Sequence, residues 1–215
     1  MRDRDPAPTS FSRRAVVAGA GSGALAMSAP MLALGATAPT VKIEPGSVEG
    51  YWHGDVAAFK GIPYGGPVDG ANRWKAAAKP VAWSGVKAAN AYGPRAMQRD
   101  EDNLKIVNQE VLDLLTKGGP PSEEWAAMGE NCLTLNVWSP ALDKGANLPV
   151  MVWLHGGGFF AEVPPIWWND GAAMAKFGGV VVVTVRHRLG AFGYFDLASA
   201  GANDVPDAGN VGHWT

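Results

Sequence analysis

Two runs of almost entirely apolar residues constrain this chain more than any other feature. They lie at residues 148–154 and 180–185, and the second run contains five valines and one threonine. Short, continuous, valine-rich runs predict strands that are buried on both faces, not strands with one face exposed to solvent. A short helix candidate at residues 172–177 lies between them. We therefore predict an α/β fold in which helices cover a central, mostly parallel sheet.

The residues before these runs predict smaller elements. Strand-like segments occur at residues 41–43, 47–52, 56–59 and 132–138. The first two flank Pro45-Gly46, which predicts a small antiparallel hairpin at the start of the fold. Residues 61–99 are rich in loops, and the apolar spacing at residues 102–117 predicts an amphipathic helix.

Composition excludes several classes of protein. A chain of 215 residues fits one domain with an appendage, and 47% hydrophobic residues exclude disorder as the main state. The 28 glycines disfavour long helical bundles. The net charge of −2 offers no basic surface for phosphates, so we expect no nucleic-acid partner. The single cysteine, Cys132, can form neither an intrachain disulfide nor a metal site alone.

The first 38 residues resemble a twin-arginine export signal. Arg13-Arg14 precedes an uncharged stretch of small and apolar residues that runs to about Leu34. We predict residues 1–38 as the signal, the twin-arginine export machinery as a partner and a periplasmic or extracellular location. Cleavage is left open between residues 35 and 38, and the weak hydropathy predicts no stable membrane anchor.

The same segment has two other interpretations. One is a plain apolar tail, and the other is a dinucleotide site, because residues 15–24 resemble a strand followed by G-x-G-x-x-A. That site needs a helix after the glycines and an acidic residue about 20 positions later. Pro30 interrupts the helix, and the first carboxylate, Glu44, comes too late. We therefore favour the export signal and expect no cofactor.

A glycine loop follows the first apolar run. It reads His155-Gly156-Gly157-Gly158-Phe159. Glycines allow consecutive backbone N–H groups to point into one cavity, where they can hold the negative oxygen of a tetrahedral intermediate in acyl transfer. The alternative is a simple tight turn after a strand.

The chain resembles the type B carboxylesterase and cholinesterase family along residues 41–212. The matching segments are Phe-Lys-Gly-Ile-Pro-Tyr at 59–64, Arg-Trp at 73–74, Trp-Ser-Gly-Val at 83–86, Glu-Asn-Cys-Leu-Thr-Leu-Asn-Val-Trp at 130–138, the strand and glycine loop at 148–159, and the strand at 180–185 with Arg-Leu-Gly at 188–190. Because several specific motifs occur in the family's order, chance is a poor explanation.

The resemblance implies an α/β-hydrolase that cleaves small-molecule carboxylic esters through a serine nucleophile. The backbone N–H groups of Gly157 and Gly158 would form the oxyanion hole, with a third N–H from the residue after the serine. His155 would orient the loop. The alternative is a noncatalytic member of the family that acts as a binding or adhesion module, because fold does not determine function.

Three departures from the family qualify this picture. Residues 92–98 lack the cysteine of the family's G-P-x-C-x-Q segment, so Cys132 is expected to be a free, buried thiol. The usual Asn-Tyr-Arg is replaced by residues 186–188, Arg-His-Arg.

His53 and His187 have no companion at metal-ligand spacing, so we interpret both as structural or solvent-facing. Trp167-Trp168 fits either a pocket rim or a packing anchor.

The third departure from the family is the missing nucleophile motif. No G-x-S-x-G sequence occurs among the 215 residues, and in this hydrolase type the acid and the histidine follow the serine. We therefore expect residues 39–215 to be the N-terminal portion of the hydrolase domain, truncated or frameshifted before the nucleophile elbow. No member of the catalytic triad is assigned in this chain, and the chain alone is expected to be inactive.

Replacing Arg13 and Arg14 by lysine should retain the chain in the cytoplasm of a bacterium that has twin-arginine transport. Recognition uses the guanidinium pair itself, which lysine does not reproduce. Cell fractionation with immunoblotting measures the exported share. Arg2→Lys with Arg4→Lys is the control and should not change export. An undiminished exported yield in the Arg13 and Arg14 variant would contradict the assignment.

Overall fold

The computed structural model describes residues 37–99, 127–162, 170–202, 205 and 208–213. The chain divides into Met1–Ala36 and a compact unit, Thr37–Thr215, which contains every element named below. The predicted export signal, the helix at 102–117 and Trp167-Trp168 lie outside the described residues. None of the helices in the described ranges is long and apolar enough to cross a membrane.

The described residues form eight strands, two short α-helices and two single turns of 3₁₀-helix. The strands are β1 (Thr40–Ile43), β2 (Gly46–Glu49), β3 (Tyr51–His53), β4 (Val56–Pro63), β5 (Val86–Ala88), β6 (Thr134–Ser139), β7 (Val150–Leu154) and β8 (Val181–Val185). The helices are α1 (Ala172–Gly178) and α2 (Gly190–Tyr194), and the 3₁₀ turns are Gly70–Asn72 and Lys144–Ala146.

A small sheet contains β1, β2 and β5 in the order β1-β2-β5. β1 and β2 form the predicted hairpin, in which Ile43 faces Gly46 across the turn. β5 adds to β2 in parallel and was not predicted, because three residues within a loop-rich segment show no periodicity.

Gly50 divides the strand predicted at residues 47–52 between two sheets. Its N–H donates to Pro39 O at 2.9 Å, which continues the β1–β2 pairing one residue beyond Thr40 and Glu49. A Cβ atom at this position would lie 2.1 Å from Ala58 O, which only glycine avoids. The chain therefore passes at Gly50 from β2 in the small sheet to β3 in the large one.

The large sheet has the strand order β3-β4-β6-β8-β7. The first three neighbouring pairs are antiparallel, and β7 and β8 are parallel, with Val150 opposite Val181. Since α1 connects β7 to β8, this pair is the crossover unit that the two apolar runs indicated. The carboxyl ends of β7 and β8 consequently meet at one edge of the sheet.

The core has a different composition on each face of the large sheet. Trp138 on β6 is completely buried and packs with Val56, Val182 and the α1 residues Ala172 and Ala175. The opposite face is filled by the small sheet, through a cluster that contains Val48, Ala57, Phe59, Ile62 and Ala89. The two faces alternate along β4, as a pleated strand requires.

The prediction that both apolar runs are buried on both faces is wrong for β7. Val150, Val152 and Leu154 are 62%, 57% and 67% exposed. β7 lies at the edge of the sheet, and no described helix or strand covers these side chains. Apolar content indicated a buried strand, but burial also depends on a neighbour that these described residues do not supply.

We expect the 215-residue chain to self-associate, because β7 presents an open strand edge together with exposed apolar side chains. Changing Val150 and Val152 to lysine should shift the chain toward monomer, as measured by sedimentation velocity. The control is Val81→Lys, which replaces an equally exposed valine that lies outside the sheets. A monomeric unsubstituted chain with one sharp, cooperative thermal transition would contradict this expectation.

Candidate functional site

The glycine loop leaves β7 in a conformation that requires glycine. Gly157 and Gly158 have φ angles of +133° and +62°. A Cβ atom on Gly157 would lie 1.7 Å from Ala161 O. The loop closes on itself there, since Ala161 N–H donates to Gly157 O at 3.1 Å. Even alanine at position 157 would therefore displace the loop.

Phe159 extends this conformation by one residue, although it is not glycine. Its φ angle is +66°, which is uncommon for a bulky side chain. Gly190 N–H, at the start of α2, donates to Phe159 O at 2.8 Å. The Phe159 ring contacts Tyr194 and His213, at centroid distances of 5.2 and 5.4 Å. These contacts hold a backbone geometry that the residue alone disfavours.

The loop forms one wall of a cavity of about 390 Å³. Gly156, Gly157 and Gly158 all line it. Within the described part of the chain, no acceptor is bonded to the N–H groups of Gly157 and Gly158. Two adjacent N–H groups at the cavity are therefore free to bind an oxygen atom.

Much of the remaining lining is aromatic. Besides His155 at the start of the loop, the aromatic lining residues are Tyr64, His187, Tyr194 and His213. His155 and His187 stack with ring centroids 4.7 Å apart and an angle of 9° between the planes. The described lining contains no lysine, arginine or carboxylate.

His155 lies between β7 and the three glycines. Its Nδ1 atom is 2.9 Å from Gly156 O. Because a carbonyl oxygen only accepts, Nδ1 carries the proton in the neutral ring and Nε2 is left as an acceptor. The predicted role of His155 in orienting the loop is compatible with this contact and stays a prediction.

His187 lines the cavity, which the sequence interpretation as a structural or solvent-facing residue did not anticipate. Burial lowers its pKa below the usual 6.5, and the neighbouring His155 lowers it further. The contact of Nδ1 with Arg188 O at 2.9 Å opposes this shift in part. The one feature of the sequence that could have indicated this location is that His187 occupies the position where the family has tyrosine.

A buried ion pair lies behind the loop. Arg186 Nε donates to Glu162 Oε1 at 2.6 Å, and these side chains are 5% and 7% exposed. Arg186 Nη1 also donates to Gly93 O, and Glu162 N–H donates to Gln98 Oε1 at 2.7 Å. This pair connects the end of the glycine loop to the exit of β8. Neither residue was singled out as a site residue from the sequence.

Arg188 ties the last described residues to the fold. Its Nη1 and Nη2 atoms donate to Lys75 O and Val211 O, each at 2.7 Å. Val211 immediately precedes Gly212 and His213, which line the cavity. The guanidinium group of Arg188 thus holds this segment next to the glycine loop.

The prediction that Cys132 is a free, buried thiol is confirmed. Cys132 is 1% exposed and unpaired, and burial raises its pKa to about 12, with the charge of Glu162 as the next cause. Such a thiol is not a nucleophile at neutral pH.

In the described ranges, no group of three or more His, Cys, Asp or Glu side chains could hold a metal ion.

Comparison with known proteins identifies the class. The model of the carboxylesterase family matches residues 37–214. A solved esterase from Clostridium hathewayi, described as hydrolysing aliphatic aromatic polyesters, superposes with a TM-score of 0.68 at 35% identity over 84% of this chain and 33% of its own. A carboxylesterase from Geobacillus stearothermophilus gives a TM-score of 0.64 at 35% identity over 81% of this chain and 31% of its own. The α/β-hydrolase fold predicted from the sequence is confirmed.

The chain belongs to the carboxylesterase family. It is 36% identical over 171 residues to phenmedipham hydrolase of Pseudarthrobacter oxydans, covering 79% of this chain and 31% of that protein. It is 38% identical over 161 residues to para-nitrobenzyl esterase of Bacillus subtilis, covering 74% of this chain and 29% of that protein. The chain thus spans about a third of the length of the curated relatives it matches.

The lowered pKa of His187 predicts a pH-dependent free energy of unfolding. Below the unfolded-state pKa of about 6.5 the unfolded chain binds a proton that the folded chain resists, so stability falls as the pH falls. Urea unfolding at about pH 7.5, 6.5 and 5.5 measures this slope. His187→Asn should flatten it. A variant that keeps the full slope would show that His187 does not titrate in this way.

Proposed function

We propose that this chain supplies the oxyanion hole of a serine-dependent hydrolase that acts on small, uncharged carboxylic esters. The observation that carries the proposal is the pair of unbonded N–H groups at Gly157 and Gly158 on the wall of the 390 Å³ cavity. Membership of the carboxylesterase family supports ester hydrolysis as the reaction.

The proposed chemistry assigns the chain one step. When a serine oxygen attacks the ester carbonyl, the carbonyl oxygen becomes an alkoxide in a tetrahedral intermediate. Gly157 and Gly158 would each donate an N–H hydrogen bond to this oxygen, and the residue after the serine would donate a third. Collapse of the intermediate expels the alcohol and leaves an acyl-serine, which water then hydrolyses.

The lining of the cavity supports an uncharged ester. Phe159, Tyr64 and Tyr194 offer apolar ring surface, whereas the described lining carries no fixed charge. His187 remains neutral at neutral pH because burial lowers its pKa. An ionic acyl or alcohol group would lose its hydration here without gaining a partner of opposite charge.

A noncatalytic binding module is the second candidate function. It rests on the general rule that a fold does not determine a function. Reading the gene beyond codon 215 in all three frames separates the two candidates. A G-x-S-x-G motif within some tens of codons supports the esterase, and its absence there supports the binding module.

We also propose that the chain is exported through the twin-arginine route. The support is the sequence of residues 1–38 alone, in which Arg13-Arg14 precedes an uncharged, weakly apolar stretch.

Gly158→Val tests the oxyanion assignment in an active hybrid. Residues 37–213 are joined to the downstream part of the Bacillus subtilis para-nitrobenzyl esterase, and p-nitrophenyl acetate hydrolysis is followed. A Cβ atom on Gly158 would lie 2.9 Å from the Phe160 ring, and valine disfavours the φ angle of +62°. We expect kcat to fall by roughly 100-fold, the usual loss for one oxyanion donor.

Gly179→Val is the matched control for backbone strain. Gly179 has a φ angle of +61° and no atom within 4 Å of its Cβ position, and it lies at the end of α1, away from the cavity. The control should keep kcat within about threefold. The 215-residue chain alone should show no turnover. Equal losses in the two hybrids, or turnover by the chain alone that a serine-directed phosphonate titrates, would refute the assignment.

A further inference from the structure

A second, much smaller cavity lies behind the glycine loop. Its volume is about 30 Å³, and its lining includes Trp153, His155, Glu162 and Arg186. His155 and Val185 line both this cavity and the 390 Å³ cavity. A space of this size holds one water molecule.

Two buried polar atoms, on residues that line this cavity, have no hydrogen-bond partner among the described residues. They are Nε2 of His155 and Oε2 of Glu162. Nε2 is an acceptor, because the ring proton of neutral His155 is on Nδ1 beside Gly156 O. Oε2 is an acceptor as well, because it belongs to a carboxylate. A buried acceptor without a donor costs about 1–3 kcal/mol, so two in one cavity indicate a ligand that donates to both.

The charges identify the kind of ligand. Glu162 is already neutralised by Arg186, whose Nε lies 2.6 Å from Oε1. The pair therefore has no net charge with which to hold an ion. The amide of Asn136, which also lines the cavity, is engaged with Thr184 Oγ1 and Gly61 N–H, each at 2.9 Å. A neutral molecule with two donor hydrogens and the volume of the cavity is water.

We propose that one buried water molecule donates to His155 Nε2 and to Glu162 Oε2, and that Glu162 and Arg186 thereby act as positioning residues for the glycine loop. The water site rests on the geometry alone, whereas its value for an oxyanion hole rests on the proposed function. His155 begins the loop, and Glu162 lies three residues after its last residue, Phe159. Holding both against β8 through Arg186 fixes the loop at its two ends.

The arrangement also accounts for a departure noted in the sequence. This chain has Arg186 where the family usually has asparagine. Glu162 supplies the carboxylate that pairs with this buried guanidinium group. The second oxygen of that carboxylate then becomes the acceptor that faces His155 across the cavity.

Solid-state NMR of the sedimented 215-residue chain tests the proposal, since this measurement works for monomers and associated forms alike. With ¹³C,¹⁵N-histidine, we expect His155 to show a protonated Nδ1, an unprotonated Nε2 and polarisation transfer from water to the ring protons next to Nε2. His155→Gln assigns these signals by removing them. A wild-type ring that is protonated on Nε2, or that has no water contact, overturns the proposal without any variant.

The double variant Glu162→Leu, Arg186→Met removes the carboxylate and keeps the side-chain volume. It should lose the water contact of His155 and give a mixture of ring tautomers. The matched control is Glu130→Leu, Arg73→Met, which removes an ion pair that does not line this cavity. Its His155 signals should match the wild type. Glu162→Gln should keep the water contact, because the amide still hydrogen-bonds to water.

The loop itself can be observed separately. Gly158-Phe159 is the only Gly-Phe dipeptide in the sequence, so ¹³C-carbonyl glycine with ¹⁵N-phenylalanine gives a single signal. We expect one narrow line in the wild type and in the control, and several lines in the Glu162→Leu, Arg186→Met chain. An unchanged line in that variant, despite loss of the water contact, would refute the positioning role. Since no readout involves ester hydrolysis, failure of the proposed function gives a different pattern of results.

Discussion

The side chain of Arg186 is a full positive charge in the interior, and much of the site depends on how that charge is satisfied. Its guanidinium group binds Glu162 and Gly93 O, while its backbone N–H donates to Thr134 O at 3.0 Å and its carbonyl accepts from Tyr64 Oη at 2.5 Å. One residue thus joins β6, the exit of β8, the segment after the glycine loop and the loop-rich residues 61–99. Removing one partner from a buried pair of this kind costs about 3–5 kcal/mol, whereas replacing both partners costs far less.

The position of the site follows from the topology of the sheet. β7 and β8 are the parallel pair, so the residues that follow them emerge at the same edge. His155 follows β7 and His187 lies two residues after the end of β8, which is why the two rings stack although they are 32 positions apart in the sequence. Glycine at 157 and 158, with positive φ angles, then turns the backbone along the wall of the cavity.

Much of the fold was predictable because it depends on local patterns. Valine-rich runs located β7 and β8, Pro45-Gly46 located the hairpin, and the glycine motif located the loop. The exposure of β7, the break at Gly50 and the pairing of Glu162 with Arg186 depend on contacts between distant parts of the chain, which periodicity does not report. The stacking of His187 on His155 was not predictable for the same reason, because nothing adjacent in the sequence shows that the two rings meet.

The state of Cys132 has a practical consequence for spectroscopy. Its thiol is buried, and with a pKa of about 12 it forms almost no thiolate at neutral pH, the species that reacts with maleimides and other alkylating dyes. The folded natural chain therefore does not react with such dyes. A cysteine introduced at an exposed position such as Phe177, on the outer side of α1, becomes the single attachment point for a fluorophore or spin label. Labelling of Cys132 itself then reports the moment at which the core opens.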